Sequence, residues 1–236
     1  MSGPALSLAF FDGARDLHGT LRAGVGVLFE GDRSHALDSS PEIAGGEGED
    51  WSVASGEELE LRFSPCSPSV ELGVASARLC RVSGRAGGGE VDCLGTASLT
   101  TTPPAWNELD ALRTISAVFD ADHAVLAAAR RPRGSFGHGQ ELVVAHLFGP
   151  EGPVAVEDAR ISTVYDGEGR QRTAGLELWL PAEDFPRRVS GRVRAGLSLT
   201  LEGLRVNAAV FDWRMEGREG FGAYEVTVRD DPGEAA

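Results

Sequence analysis

Ionisable side chains set among apolar ones are where a chain like this can do chemistry, and the densest such grouping is His138, Glu141 and His146. His138 stands in a Gly-rich run, Arg131 to Gln140. Glu141 opens a strand, and His146 alternates along it with Leu142, Val144 and Phe148. A histidine on an apolar face loses hydration in its charged form, so its pKa falls and a neutral imidazole is available as base or hydrogen-bond partner. These three residues are the catalytic candidates. Their spacing matches no common metal-ligand pattern, so neither a metal nor a cofactor is expected. A second grouping sets polar groups among aromatics: Glu177 with Trp179, and Asp212, Arg214 and Glu216 around Trp213. In a barrel, one strand face points inward, and Glu177, Trp179, Trp213 and Phe148 are the candidates for lining a ligand cavity.

Other chemistry is excluded by composition. All 22 basic residues are Arg, which rules out a lysine Schiff base, a lysine nucleophile and a P-loop lysine. Ser135 lacks the glycine two residues ahead of it that a nucleophile elbow needs, since Arg133 stands there. A formal charge of −14 opposes binding to nucleic acid or an anionic membrane surface. No run approaches the ~18 uninterrupted apolar residues of a membrane-spanning helix. With three cysteines, no zinc-like spacing and no signal peptide at the start, the expectation is a cytoplasmic protein with reduced thiols. Glu47, Glu49 and Asp50 lack the alternating spacing of a calcium loop and read as part of a solvated acidic loop.

The elements that must position these residues are strands. From Leu197 to Val210 the alternation pairs Leu201 with Leu204, Leu199 with Val206, Leu197 with Ala208 and Ala195 with Val210 across Glu202-Gly203. A one-residue slip would bury Thr200 and Ser198, so the register is well specified. Apolar parity then passes from Val210 to Phe211, Trp213 and Met215, which predicts a β-bulge in the second strand. Leu21 to Phe29 alternates as one strand, with Gly24 and Gly26 marking a bend. Similar alternation recurs before and after Thr101–Leu112, where Pro103-Pro104 precedes Leu109 and Leu112 at helical spacing. The fold class is therefore all-β: two antiparallel barrel or sandwich halves, a domain over 1–102 and another over 113–232, joined by a Pro-rich, short helical linker.

Two successive β halves, a Pro-rich junction and the run Gly137-His138-Gly139 leading to His146-Leu147-Phe148-Gly149 resemble the two-domain lipocalin-like (calycin-type) family of carotenoid 1,2-hydratases and AttH-like proteins, with Phe148 at the position of that family's Trp. The resemblance implies two lipocalin-like β-barrels and a hydrophobic small-molecule partner, such as an isoprenoid, lipid or polyketide-like compound. Two functions follow from it. One is binding of that ligand within the barrel, and the other is an enzyme that hydrates, isomerises or cyclises it.

Overall fold

The computed structural model describes residues 5–46, 50–135, 140–181 and 183–229, in which there is no α-helix. Strands β1 (Ala5–Asp12), β2 (Leu17–Arg22), β3 (Val25–Glu30), β4 (Arg33–Ala36), β5 (Glu42–Ala44), β6 (Trp51–Ser55), β7 (Leu59–Pro65), β8 (Val70–Glu71), β9 (Ser76–Ala86) and β10 (Gly89–Thr100) form one antiparallel sheet. Its order is β4-β3-β2-β1-β10-β9-β7-β6-β5, with β8 added to β9. Strands β11 (Leu109–Val118), β12 (Ala124–Pro132), β13 (Leu142–Gly149), β14 (Gly152–Ala155), β15 (Asp158–Tyr165), β16 (Gln171–Trp179), β17 (Arg187–Leu201), β18 (Leu204–Met215) and β19 (Arg218–Arg229) form the second, in the order β14-β13-β12-β11-β19-β18-β17-β16-β15. Both sheets curl into half-barrels. In the second, the Val156 N–H donates to the Ala145 carbonyl and draws the start of β15 against β13.

Side-chain alternation decides what each sheet encloses. In β7, Leu59, Leu61 and Phe63 are buried while Glu60 and Arg62 are exposed. The first half-barrel is filled by Leu8, Phe10, Leu21, Trp51, Phe63 and Val82. The second encloses Phe211, Trp213, Tyr224 and Leu176 together with small residues such as Ala127, Ala145 and Ala209. Strands at the seam between the halves are buried on both faces. Ala9 and Phe11 of β1 and Val70, Leu72 and Leu79 pack on Val118, Leu126, Ala128 and Phe148, while Val27 and Phe29 pack on Ala195, Ala208 and Val210.

The hairpin of β17 and β18 has the register read from its alternation, Leu201↔Leu204 through Ala195↔Val210. Its turn is Glu202-Gly203, with φ of 51° and 78°, the left-handed pair of a two-residue hairpin. The bulge lies on the other strand from the one expected. Val193 pairs with Phe211 and Ala195 with Val210, so Arg194 is the extra residue on β17. β18 alternates without a break, its even positions from Val206 to Val210 facing the seam and its odd positions from Ala209 to Met215 facing the interior. The expected Leu21–Phe29 strand is a hairpin instead, because the chain reverses at Ala23-Gly24, where φ is +86°. The expected linker helix is absent. Trp106 to Glu108 make one turn closed by the Glu108 N–H on the Ala105 carbonyl, and Leu109 pairs with Pro132 at the start of β11. Leu109 and Leu112, three positions apart, both lie on β11, whose pairing with β12 is irregular between Leu109 and Ala111. No helix is long and apolar enough among the described residues to cross a membrane.

Candidate functional site

Neighbouring strands of the second sheet send charged and hydroxyl groups into an interior that is otherwise apolar. On β11, Arg113 shares the inward face of Ile115 and Ala117 and is 3% exposed. Arg131 follows Val125, Ala127 and Ala129 on the inward face of β12, and Glu141 stands one residue ahead of β13 with its side chain 4% exposed. Arg113 Nη2 lies 2.8 Å and Arg131 Nε 3.3 Å from the same carboxylate oxygen, Glu141 Oε1. Both contacts are ion pairs that lack hydrogen-bond alignment. Arg113 Nε and Nη1 find no acceptor among the described residues.

Tyr224 of β19 completes the group, its hydroxyl 2.6 Å from Thr163 Oγ1 of β15. Burial pushes the phenol pKa up, Arg113 pulls it down and Tyr165 adds to the rise, with burial dominant, so the phenol keeps its proton. Buried Gln171 donates from Nε2 to the Tyr224 and Asn207 carbonyls, at 3.1 and 3.0 Å. Beside it, where β16 stops pairing with β17 after Thr173↔Arg192, a cavity of about 240 Å³ opens against Gln171, Asn207, Val193 and Ala209. Gln171, Asn207 and Ala209 of its lining are buried in the second sheet, while Asp32 belongs to the first half and Ala195, Leu197 and Ala208 face the seam, so the cavity lies where the second half-barrel meets the first. A larger cavity of about 440 Å³ lies at the seam, between Glu71–Ser76, Thr101–Ala105 and Arg130. Its charged groups stand at a solvent-facing rim, and none of its polar atoms is left buried without a partner, so it poses no comparable demand for a ligand.

The structure separates the sequence candidates. Glu141 faces the interior, as above. His146 and Phe148 have the opposite parity on β13 and face the seam, where His146 Nε2 donates to the Glu71 carbonyl at 3.1 Å and Phe148 is buried against the first half. Glu141 and His146 are therefore on opposite sides of one sheet. His138 lies outside the described residues, as do Glu47 and Glu49; Asp50 pairs with Arg62. Trp213 is fully buried in the interior, stacked 5.1 Å from Phe211, and its Nε1 has no partner among the described residues. Glu177 and Trp179 are outside, because Ala174, Leu176 and Leu178 take the inward positions of β16. There Glu177 pairs with Arg188, and Arg160 lies over the Trp179 ring at 4.8 Å.

Sequence reasoning passed over Arg113, Arg131, Tyr224 and Thr163. Arg113 carried a readable signal, a charged residue in phase with Ala111, Ile115 and Ala117. A second cluster, of which only Asp212 was among the sequence candidates, bridges the halves around a buried histidine. His18 is 0% exposed, 4.9 Å from the Phe221 ring, with Nε2 3.6 Å from Asp16 Oδ1. Arg194, the bulge residue, donates to Asp16 at 2.6 Å and to Asp212 at 3.0 Å. Burial lowers the His18 pKa to about 4 against the opposing pull of Asp16. The three cysteines are unpaired, and burial pushes Cys80 and Cys93 up to about 12, so neither is a thiolate nucleophile at neutral pH.

No protein-family profile matches the chain, and no curated protein does. Solved structures do. An AttH-like protein of Nitrosomonas europaea superimposes with a TM-score of 0.66 at 12% identity, over 95% of this chain and 92% of that one. CghA gives 0.60 at 11% identity, over 97% and 89%. Kievitone hydratase from Nectria haematococca gives 0.57 at 9%, over 96% and 89%. Across nearly its whole length, then, this chain has the two-sheet, lipocalin-like fold of the AttH and hydratase-type proteins.

Proposed function

We propose that the protein binds a hydrophobic small molecule, an isoprenoid, lipid or polyketide-like compound, inside the half-barrel of its second sheet. The observation that carries this reading is a cluster of inward-facing polar groups, buried Arg113, Glu141 and Tyr224 with half-buried Thr163, in an apolar interior whose residues Gln171 and Ala209 also border a cavity. Binding sites combine apolar walls with a few convergent polar groups, and unsatisfied buried donors are too costly to keep without use. The test is titration with the neutral fluorophore N-phenyl-1-naphthylamine. Saturable one-to-one enhancement is expected, and Ala209→Phe, which fills the interior beside the cavity, should abolish it. Undiminished binding in that variant, or none in the wild type, would remove the reading.

The second reading is an enzyme that hydrates, isomerises or cyclises such a ligand. Tyr224 favours it, as a phenol kept protonated beside a guanidinium can hydrogen-bond or protonate a ligand oxygen; one structural neighbour is a hydratase by name. Turnover that Tyr224→Phe abolishes while fluorophore binding persists would select the enzyme. Fluorophore binding without turnover in the wild type would leave the binding protein.

A further inference from the structure

We infer that the ligand of this half-barrel is an amphiphilic organic anion, whose carboxylate or equivalent oxyanion is received by Arg113. The inference rests on the binding reading above and adds the charge of the ligand. Two guanidinium groups, Arg113 and Arg131, reach one carboxylate, and both reach the same oxygen of it. Among the described residues of this cluster one carboxylate thus serves two cations, of which Arg131 reaches solvent and Arg113 does not. A guanidinium has five N–H donors and cannot shed its proton, so it has no neutral form to retreat to. Its Nη2 faces Glu141 while Nε and Nη1 have nothing to donate to among the described residues. A buried, half-satisfied cation is tolerated where an anion completes it. The Tyr224 hydroxyl, which shares a hydrogen bond with Thr163 Oγ1, lies in the same Arg113 field. The interior around this cluster holds apolar side chains such as Ile115, Ala129 and Val226, which suit a hydrocarbon body rather than a small hydrated anion.

Glu141 occupies the guanidinium edge that a ligand anion would share, so it is an internal competitor as well as a positioning residue. The two therefore act in opposite directions, which a purely structural role would not produce. Displacement of N-phenyl-1-naphthylamine by decanoate, 1-decanol and acetate reads this directly. Decanoate should displace it about 10- to 100-fold more strongly than 1-decanol, the value of a charge-assisted hydrogen bond, and acetate should not displace it. Arg113→Met should erase the preference of decanoate over 1-decanol, Arg113→Lys should keep part of it, and Glu141→Gln should strengthen decanoate. Equal displacement by acid and alcohol, or a preference that survives Arg113→Met, overturns the inference and leaves the binding reading intact. Displacement by acetate as strong as by decanoate also overturns it. Should Arg113→Met not fold, weaker decanoate binding in Glu141→Gln overturns it alone. If the fluorophore itself does not bind, the binding reading fails first and takes this inference with it.

Discussion

At the scale of single residues, Arg113 and His18 are both ionisable groups kept inside, and they meet that burial differently. Arg113 stays charged at any pH, so its needs must be met by partners. His18 escapes by staying neutral, with its pKa lowered to about 4 by burial between Phe11 and Phe221. Asp16 and Asp212 favour its protonation, Arg194 opposes it, and burial outweighs them all. The unfolded chain, with an ordinary histidine pKa near 6.5, binds the proton first. Stability is therefore untouched above pH 6.5 and falls as the pH drops from 6.5 toward 4. Between pH 7 and 5 the loss attributable to His18 is about 2 kcal/mol. Urea melts at the two pH values should show it, and His18→Leu should shrink the difference; the same acid loss in that variant would place the cause elsewhere. Glu141 was legible in the sequence as a candidate carboxylate at the start of a strand, but its burial and its partners were not, since Arg113 and Arg131 precede it on two other strands.

At the scale of elements, short-range alternation predicts pairing well and facing less well. The register between Leu197 and Val210 follows from the sequence because each slipped alternative would bury Thr200 or Ser198. What covers the apolar face does not follow. It is Val27 and Phe29 of the first half, and Leu197 and Leu199 are only half-buried against them. The real interior of this hairpin begins beyond the bulge, at Phe211 and Trp213. Three substitutions should grade accordingly in denaturant melts. Phe211→Ala should cost about 3–5 kcal/mol, Leu199→Ala about 1–2 kcal/mol for its partial burial, and Thr200→Ala under about 0.5 kcal/mol as an exposed site. A larger loss for Leu199→Ala than for Phe211→Ala would mean that the seam, not the half-barrel, is the stronger core. The linker misled in the other direction. Helical spacing of Leu109 and Leu112 is two residues' worth of evidence, and both residues lie on a strand that is irregular between them.

At the scale of the whole molecule, the seam is where sequence reasoning has least purchase, because it joins residues far apart in the chain. His146 and Phe148 attracted attention as site residues for their position on an apolar face; that face is apolar because it meets Leu72 and Leu79 of the other half. Polar ties cross the same seam, from Arg22 to Glu225, Arg194 to Asp16, Ser34 Oγ to the Gly196 carbonyl and His146 to the Glu71 carbonyl. Strands buried on both faces cannot keep one face when the other half unfolds without exposing Phe11, Leu79, Leu126 and Phe148 to water, at about 1.5–3 kcal/mol for each large side chain. The two halves should therefore unfold together. Trp51 sits in the first core and Trp213 in the second, so each reports on its own half once Trp106 and Trp179 are replaced by Phe. In variants retaining only Trp51 or only Trp213, the denaturant transitions should coincide, as a two-state molecule requires. Phe148→Ser, which removes a buried ring from the seam and reaches neither interior, should pull the two transitions apart. Separate transitions without that substitution would show that the seam does not couple the halves. In that case the lipocalin-like half that carries Arg113 should also fold and bind ligand on its own.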